Sequence, residues 1–227
     1  MSTEFPSTLD GWLALLESRA GQAIRLGLER VGKVRERLEV DSDAVVITVG
    51  GTNGKGSCCA MLEAILLAAG YRVGLYTSPH LLRYTERVRV GGVEVDESTL
   101  AAAMAQVEAA RGDTPLTYFE HGTLAAWCVF AQAGLDVVIL EVGLGGRLDA
   151  VNVFEPDCAV VTSVAMDHME YLGDTRDAIG FEKAGIFRPG KPAVCGDPHP
   201  PHSLLEHAAA IGAELWVSGR DFGFGGD

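Results

Sequence analysis

The chain has 227 residues, 48% of them hydrophobic, enough for one large domain or two small ones with a substantial core, and nothing in that balance indicates disorder. Its 18 basic and 31 acidic residues leave a formal charge of −13, which opposes association with nucleic acid or anionic membranes. The five cysteines, Cys58, Cys59, Cys128, Cys158 and Cys195, form no C-x-x-C pair and lie mostly in apolar runs, so they read as reduced thiols rather than disulfides or metal-thiolate ligands.

The N-terminus, MSTEFPSTLDGW, lacks a basic start followed by an apolar stretch, and no later segment reaches the roughly 18 uncharged apolar residues of a membrane span. A cytoplasmic protein is expected. A first strand, Ala44–Val49, runs into the glycine loop Gly50–Ser57 and then a helix over Cys58–Ala69, with Gly70 placed to end it. A strand over Arg72–Tyr76 follows, and Val88–Val95 reads as a small hairpin turning at Gly91-Gly92. Helices are expected over Ser98–Arg111, capped by Asp96 or Ser98, and over His121–Ala133, ended by Gly134. Strands Val137–Val142, Cys158–Val164, Pro192–Cys195 and Glu214–Val217 alternate with helices Asp174–Ala184 and Ser203–Ile211. The closing SGRDFGFGGD is glycine-rich and carries no expected element. Short β-branched runs alternating with helical patterns predict a three-layer α/β fold of the P-loop NTPase kind: a mostly parallel sheet, helices on both faces and a small β-hairpin.

The run VVITV-GGTNGKGS-CCAMLEAILLAAG is strand, glycine loop, helix, an order that aims backbone N–H groups and a helix N-terminus at one point and so suits an anion. In such a loop Lys55 reaches terminal phosphates, and Ser57 meets a phosphate or the metal. The spacing departs from G-x-x-x-x-G-K-[ST], with Val49 in the first glycine position and Gly56 between Lys55 and Ser57. The plain alternative is a glycine-rich turn with a solvated lysine.

DVVILEVGLGGRLD, residues 136–149, is a buried strand ending in Glu141 and a glycine-rich loop with Arg147 and Asp149. Ligands of α/β proteins gather at this end of the strands. A carboxylate closing so apolar a run calls for a partner, either Mg²⁺ at an ATP site or a basic side chain. AVVTSVAMDH brings Asp167 and His168 to the same edge, where the histidine is either a ligand or a structural side chain. Glu182 and Lys183 fall near a helix C-terminus, where a lysine ordinarily complements the helix dipole.

GTNGKGS resembles the P-loop of the Mur ligase superfamily, and specifically that of folylpolyglutamate synthase and dihydrofolate synthase. TSPHL (Thr77–Leu81), TYFE (Thr117–Glu120), EVGLGGRLDAVN (Glu141–Asn152), DH (Asp167–His168) and EKAGI (Glu182–Ile186) resemble motifs of the same family, in its order and at similar separations. The resemblance implies an ATP-dependent ligase, a cytoplasmic monomer, in which an amino group displaces phosphate from an activated carboxylate. Its substrates would be ATP, L-glutamate and dihydropteroate or a reduced folate. It implies nucleotide binding by Asn53, Gly54, Lys55, Gly56 and Ser57, and Mg²⁺ held by Ser78, Glu141, His168 and a carbamylated Lys183. It also implies catalytic roles for Lys55, His168 and Lys183, and pterin contacts from Thr117, Tyr118, Phe119, Glu120, Leu148, Asp149 and Ala150.

The segment RAGQAIRLGLERV resembles a family stretch that usually has an acidic residue at the place of Arg25 and His-Pro or similar at Ala20-Gly21. Members of the family are nearly twice this length and end in a second α/β domain, so residues 1–227 are expected to be the central ATP-binding domain, incomplete at its C-terminus. Two other classes remain open on the sequence: a P-loop kinase or NTPase switch, which has no need of Ser78, His168 and Lys183 together, and a fragment that binds ATP and pterin without turnover.

Overall fold

The computed structural model describes residues 5–19, 25–223 and 225. Ala20-Gly21 of the N-terminal resemblance lies outside the described residues.

Two helices, α1 (Leu9–Arg19) and α2 (Glu29–Leu38), come before the first strand, where the sequence reading assigns no element. Val31, Val34 and Leu38 bury one stripe of α2 at helical spacing, a signal present in the sequence. Then follow β1 (Val45–Gly50), α3 (Lys55–Ala68), β2 (Val73–Tyr76), a 3₁₀ turn at Tyr84–Arg87, and β3 (Val88–Val90) with β4 (Val93–Glu94). Next come α4 (Glu97–Arg111), α5 (Tyr118–Gln132), β5 (Val137–Glu141), a second 3₁₀ turn at Ala150–Val153, β6 (Cys158–Val161) and α6 (Met169–Leu172). The chain continues through α7 (Arg176–Ala184), β7 (Pro192–Cys195), α8 (His202–Ile211) and β8 (Glu214–Val217).

The eight strands form one sheet in the order β4-β3-β2-β5-β1-β6-β7-β8. From β2 to β8 all neighbours are parallel, and the β3–β4 hairpin extends the sheet antiparallel at its β2 edge. Its turn is the expected one: Gly91 and Gly92 take φ of 61° and 81°, the positive values a tight primed turn requires.

Strand alternation divides the core. Val137 and Ile139 of β5 face α3 together with Val49, Val73 and Leu75. Val138 and Leu140 face the opposite way, into the larger core with Val46, Tyr76, Phe130 and Met104 from α4 and α5. Helices therefore cover both faces, as the mixed α/β reading requires.

Several boundaries are corrected. Helix α3 begins at Lys55 rather than Cys58, because Gly54 takes the left-handed N-cap conformation and Cys58 N already donates to Gly54 O at 2.9 Å. Helix α5 begins at Tyr118 because Thr117 and Glu120 form a reciprocal capping box. Helix α7 begins at Arg176, capped by Thr175. Strand β6 stops at Val161 rather than Val164, since Thr162 and Ser163 turn aside to bond the glycine loop. Residues 218–222 fold back in a turn closed by Gly219 N to Phe222 O at 2.7 Å. All five cysteines are free. Among the described residues no helix is long and apolar enough to cross a membrane.

Candidate active site

The ladder pairs Val49 with Glu141 and Gly50 with Val161, so the carboxyl ends of β1, β5 and β6 lie level on one edge, with the end of β2 beside them. Each leads into a loop bearing expected site residues: the glycine loop, Ser78, Glu141 and the Asp167-His168 segment.

The glycine loop is held largely by the segment that follows β6. Thr52 N donates to Ser163 O at 2.8 Å and Asn53 N to Ser163 Oγ at 3.1 Å, while Thr162 Oγ1 donates to Asn53 O at 2.7 Å. Gly51 has φ of 140°, and a Cβ there would lie 1.9 Å from Thr162 Oγ1, so only glycine fits. Helix α3 has no side-chain cap, whereas Asp96, Thr117 and Thr175 cap α4, α5 and α7. The first-turn N–H groups at Lys55, Gly56 and Ser57 are left without a side-chain acceptor and, with the helix dipole, are available to an anion. The Lys55 ammonium folds back over the loop, donating to Gly51 O at 3.1 Å and Thr52 O at 3.2 Å.

Glu141 is 4% exposed, and its Oε2 accepts from Ser78 N at 3.0 Å. Burial raises its pKa, against the Ser78 amide and Lys55, which lower it. A Cβ on Gly56 would lie 3.8 Å from Glu141 Oε1, which places that oxygen at the start of α3. His168 takes the left-handed conformation, φ 46° and ψ 43°, which among the described non-glycine residues only Glu39 shares. Its Nε2 lies 3.6 Å from Asp167 Oδ2.

Lys183 is 3% exposed, with no acidic partner among the described residues. Burial chiefly, and then Lys55, lower its pKa to about 8 against the opposing pull of Asp167. The GLGGR loop packs on the segment that carries it. Arg147 N donates to Glu182 O at 2.8 Å, Arg147 Nη2 to Glu182 Oε1 at 2.7 Å, and Asn152 Nδ2 to Gly185 O at 3.1 Å. A Cβ on Gly185 would come within 2.3 Å of Arg147 Cβ, so loop and helix end meet backbone to backbone.

A cleft of about 580 Å³ joins these loops. Lys55, Ser78 and His168 line it, and so do the expected pterin residues Thr117, Tyr118, Phe119, Glu120, Leu148, Asp149 and Ala150. Two of the latter already have structural work. Glu120 closes the α5 capping box through Oε2 and accepts from Arg30 Nη2 at 2.9 Å through Oε1. Buried Asp149, its carboxyl pushed to about 7 by burial, accepts from Leu144 N at 2.9 Å and Val151 N at 3.0 Å. Arg25 also lines the cleft. Glu141 bonds the lining residue Ser78, and neither Glu141 nor Lys183 itself lines the cleft.

As a metal site the group is oxygen-rich with one imidazole, a donor set suited to Mg²⁺ or Mn²⁺. Among the described residues no cluster of three or more His, Cys, Asp and Glu side chains forms a ready metal site. Of the expected ligands only Glu141 and His168 are of those types. The single amide on the buried Glu141 carboxylate leaves acceptor capacity that a cation would use, so the residues fit.

Sequence reasoning missed Arg30, on an unassigned helix, and Thr162 and Ser163, taken as strand. It also missed Arg87, which lines the cleft one residue before the expected hairpin. An arginine directly ahead of the alternating VRV run was the available signal.

The family described as Mur ligase middle domain matches residues 49–196. The dihydrofolate synthase/folylpolyglutamate synthase of Escherichia coli strain K12 is 56% identical over 219 residues, covering 96% of this chain and 52% of that protein. The protein of the same name from Haemophilus influenzae is 49% identical over 216 residues, covering 95% and 49%. Among solved structures, E. coli FolC in complex with DHPP and ADP superimposes with a TM-score of 0.96 at 54% identity, over 100% of this chain and 55% of that one. The bifunctional folylpolyglutamate synthase/dihydrofolate synthase from Yersinia pestis complexed with AMPPNP and Mn ion gives 0.93 at 55% identity, over 99% and 55%. The chain spans about half the length of the curated relatives it matches.

Proposed function

This chain belongs to the Mur ligase family, and from that premise we propose that it is the central ATP-binding domain of a cytoplasmic, monomeric ligase that joins L-glutamate to dihydropteroate or a reduced folate. The observation that carries the reading is one cleft shared by these residues. Lys55, beside the uncapped start of α3, lines it together with Ser78 and His168 and with the aromatic and apolar side chains of Tyr118, Phe119 and Leu148. Such a cleft seats a phosphate donor and a flat acid side by side.

The first-turn amides of α3 receive the terminal phosphates of ATP, and Lys55 exchanges its loop carbonyls for the γ-phosphate. Ser78, Glu141, His168 and a carbamylated Lys183 would hold Mg²⁺, which when bound neutralises phosphate charge. A carboxylate oxygen of the acid attacks the γ-phosphorus and ADP leaves, giving an acyl phosphate. The amine of glutamate then attacks the carbonyl carbon, passes through a tetrahedral intermediate and expels phosphate as the amide forms. Positioning and electrostatics do most of this work, so rigidity of the loop matters more than any one proton transfer.

Carbamylation suits Lys183 because a buried amine with a lowered pKa is neutral more often than a surface lysine. Its nitrogen bonds to the carbon of CO₂ and loses a proton, and the site gains an anion where it held a cation.

The test is product analysis. The protein incubated with ATP, Mg²⁺, glutamate and either dihydropteroate or a reduced folate should release phosphate only when acid and amine are both present, with a glutamylated product. Phosphate release independent of the acid would point instead to an NTPase. Failure to bind ATP and pterin would sink the reading outright.

A further inference from the structure

Arg87 is 9% exposed and lines the cleft, yet among the described residues no acidic side chain pairs with it. It is elaborately held. Its Nε donates to His80 Nδ1 at 2.8 Å, and its guanidinium carbon lies 5.1 Å from the Tyr84 ring centroid and 5.9 Å from that of Tyr118. Thr77 N donates to Arg87 O at 3.0 Å, which fixes its backbone beside Ser78. The loop carrying His80 is itself tied down, as Glu86 accepts from the amides of Leu81, Leu82 and Arg83 at 2.7 to 2.9 Å. The TSPHL histidine, given no role by the ligase reading, thus orients a cation.

A guanidinium has five N–H donors, of which His80 takes one. Keeping such a group buried without an anion costs free energy that stacking on two tyrosines only partly offsets. A partner from outside the chain completes it, and a planar fork favours a carboxylate. We propose that Arg87, oriented by His80, recognises the carboxylate of the pterin-linked acid and makes the cleft select that acid over uncharged analogues. The inference rests on the reading of the cleft as an acid-binding site, and it assigns a residue and a ligand group to it.

The 227-residue chain is titrated by calorimetry with pteroate, pteroate carboxamide, 6-hydroxymethylpterin and, separately, Mg-ADP. The unaltered chain should bind pteroate at least about tenfold more tightly than the carboxamide, the size expected for a charge-assisted hydrogen bond. In Arg87→Gln that ratio should fall to near one, while 6-hydroxymethylpterin and Mg-ADP bind as before and report an intact fold. Arg87→Lys, which keeps the charge but not the fork, should retain part of the preference and serves if the glutamine variant does not fold. A preference that survives in Arg87→Gln with pterin binding intact overturns the proposal alone. So does a variant, folded by its thermal transition, that loses 6-hydroxymethylpterin or Mg-ADP binding instead, since Arg87 would then hold the ring or a phosphate. If the unaltered chain binds no pterin, the reading of the cleft falls first, and this inference with it.

Discussion

Lys183 and His121 are both buried titratable groups, and they predict different measurements. Lys183, with its pKa lowered to about 8, is neutral in an appreciable fraction of molecules near neutral pH, which is the state that captures CO₂. Labelled bicarbonate should therefore yield one carbamate resonance that vanishes in Lys183→Ala, and that variant should lose at least about a hundredfold in phosphate release while unfolding normally. Full activity in the alanine variant would rule out the role. His121 lies wholly inside the α4–α5 packing, its Nε2 on Met104 O at 3.1 Å, and burial lowers its pKa from 6.5 to about 4. Between those values the unfolded chain binds more protons than the folded one. The stability from neutral His121 is thus complete above pH 6.5 and is lost progressively as pH falls toward 4, by on the order of 3 kcal/mol. Denaturant titrations across that window should show the slope, and His121→Gln should flatten it.

At the scale of elements, the glycine loop gives the sharpest contrast. In Gly51→Ala the new Cβ meets Thr162 Oγ1 at 1.9 Å with φ at 140°, so the loop must move and nucleotide binding should disappear. Gly70→Ala also strains a positive φ, at the end of α3, but its Cβ meets nothing within 4 Å. It should cost roughly 1 kcal/mol and leave binding unchanged. Equal nucleotide affinity in the two variants would contradict the account of the loop. This contrast also shows what the sequence could and could not reveal. Strand, glycine loop and helix were legible as one unit, because their order is a local signal. That Thr162 and Ser163 hold it from the neighbouring strand is a long-range fact, invisible to local pattern and masked by a β-branched run that extended the expected strand to Val164. Helix α2 was legible in Val31, Val34 and Leu38 and went unread. Glu120 and Asp149 both line the cleft, yet spacing could not show that capping and loop amides already occupy their carboxylates.

For the molecule as a whole, site and fold meet at one sheet edge, and ligand binding should register in global stability. With a formal charge of −13, an anionic nucleotide would have to be drawn in by local groups such as Lys55 and the helix N-terminus rather than by the overall field. Among the described residues the Lys55 ammonium bonds only Gly51 O and Thr52 O of its own loop, so Lys55→Ala should leave the melting temperature measured without nucleotide nearly unchanged. With nucleotide present the two proteins should part. Mg-ADP at about a hundred times its dissociation constant stabilises the folded state by about 2.7 kcal/mol, or roughly 5–10 °C for a chain of this size. Lys55→Ala should lose most of that shift at the same concentration. Chelating the metal should lower the shift in the unaltered chain more than in Glu141→Gln, which keeps the buried shape but removes a ligand charge. If chelation acts equally on both, Glu141 is not a metal ligand, and its burial at the end of β5 must be explained by the Ser78 amide alone.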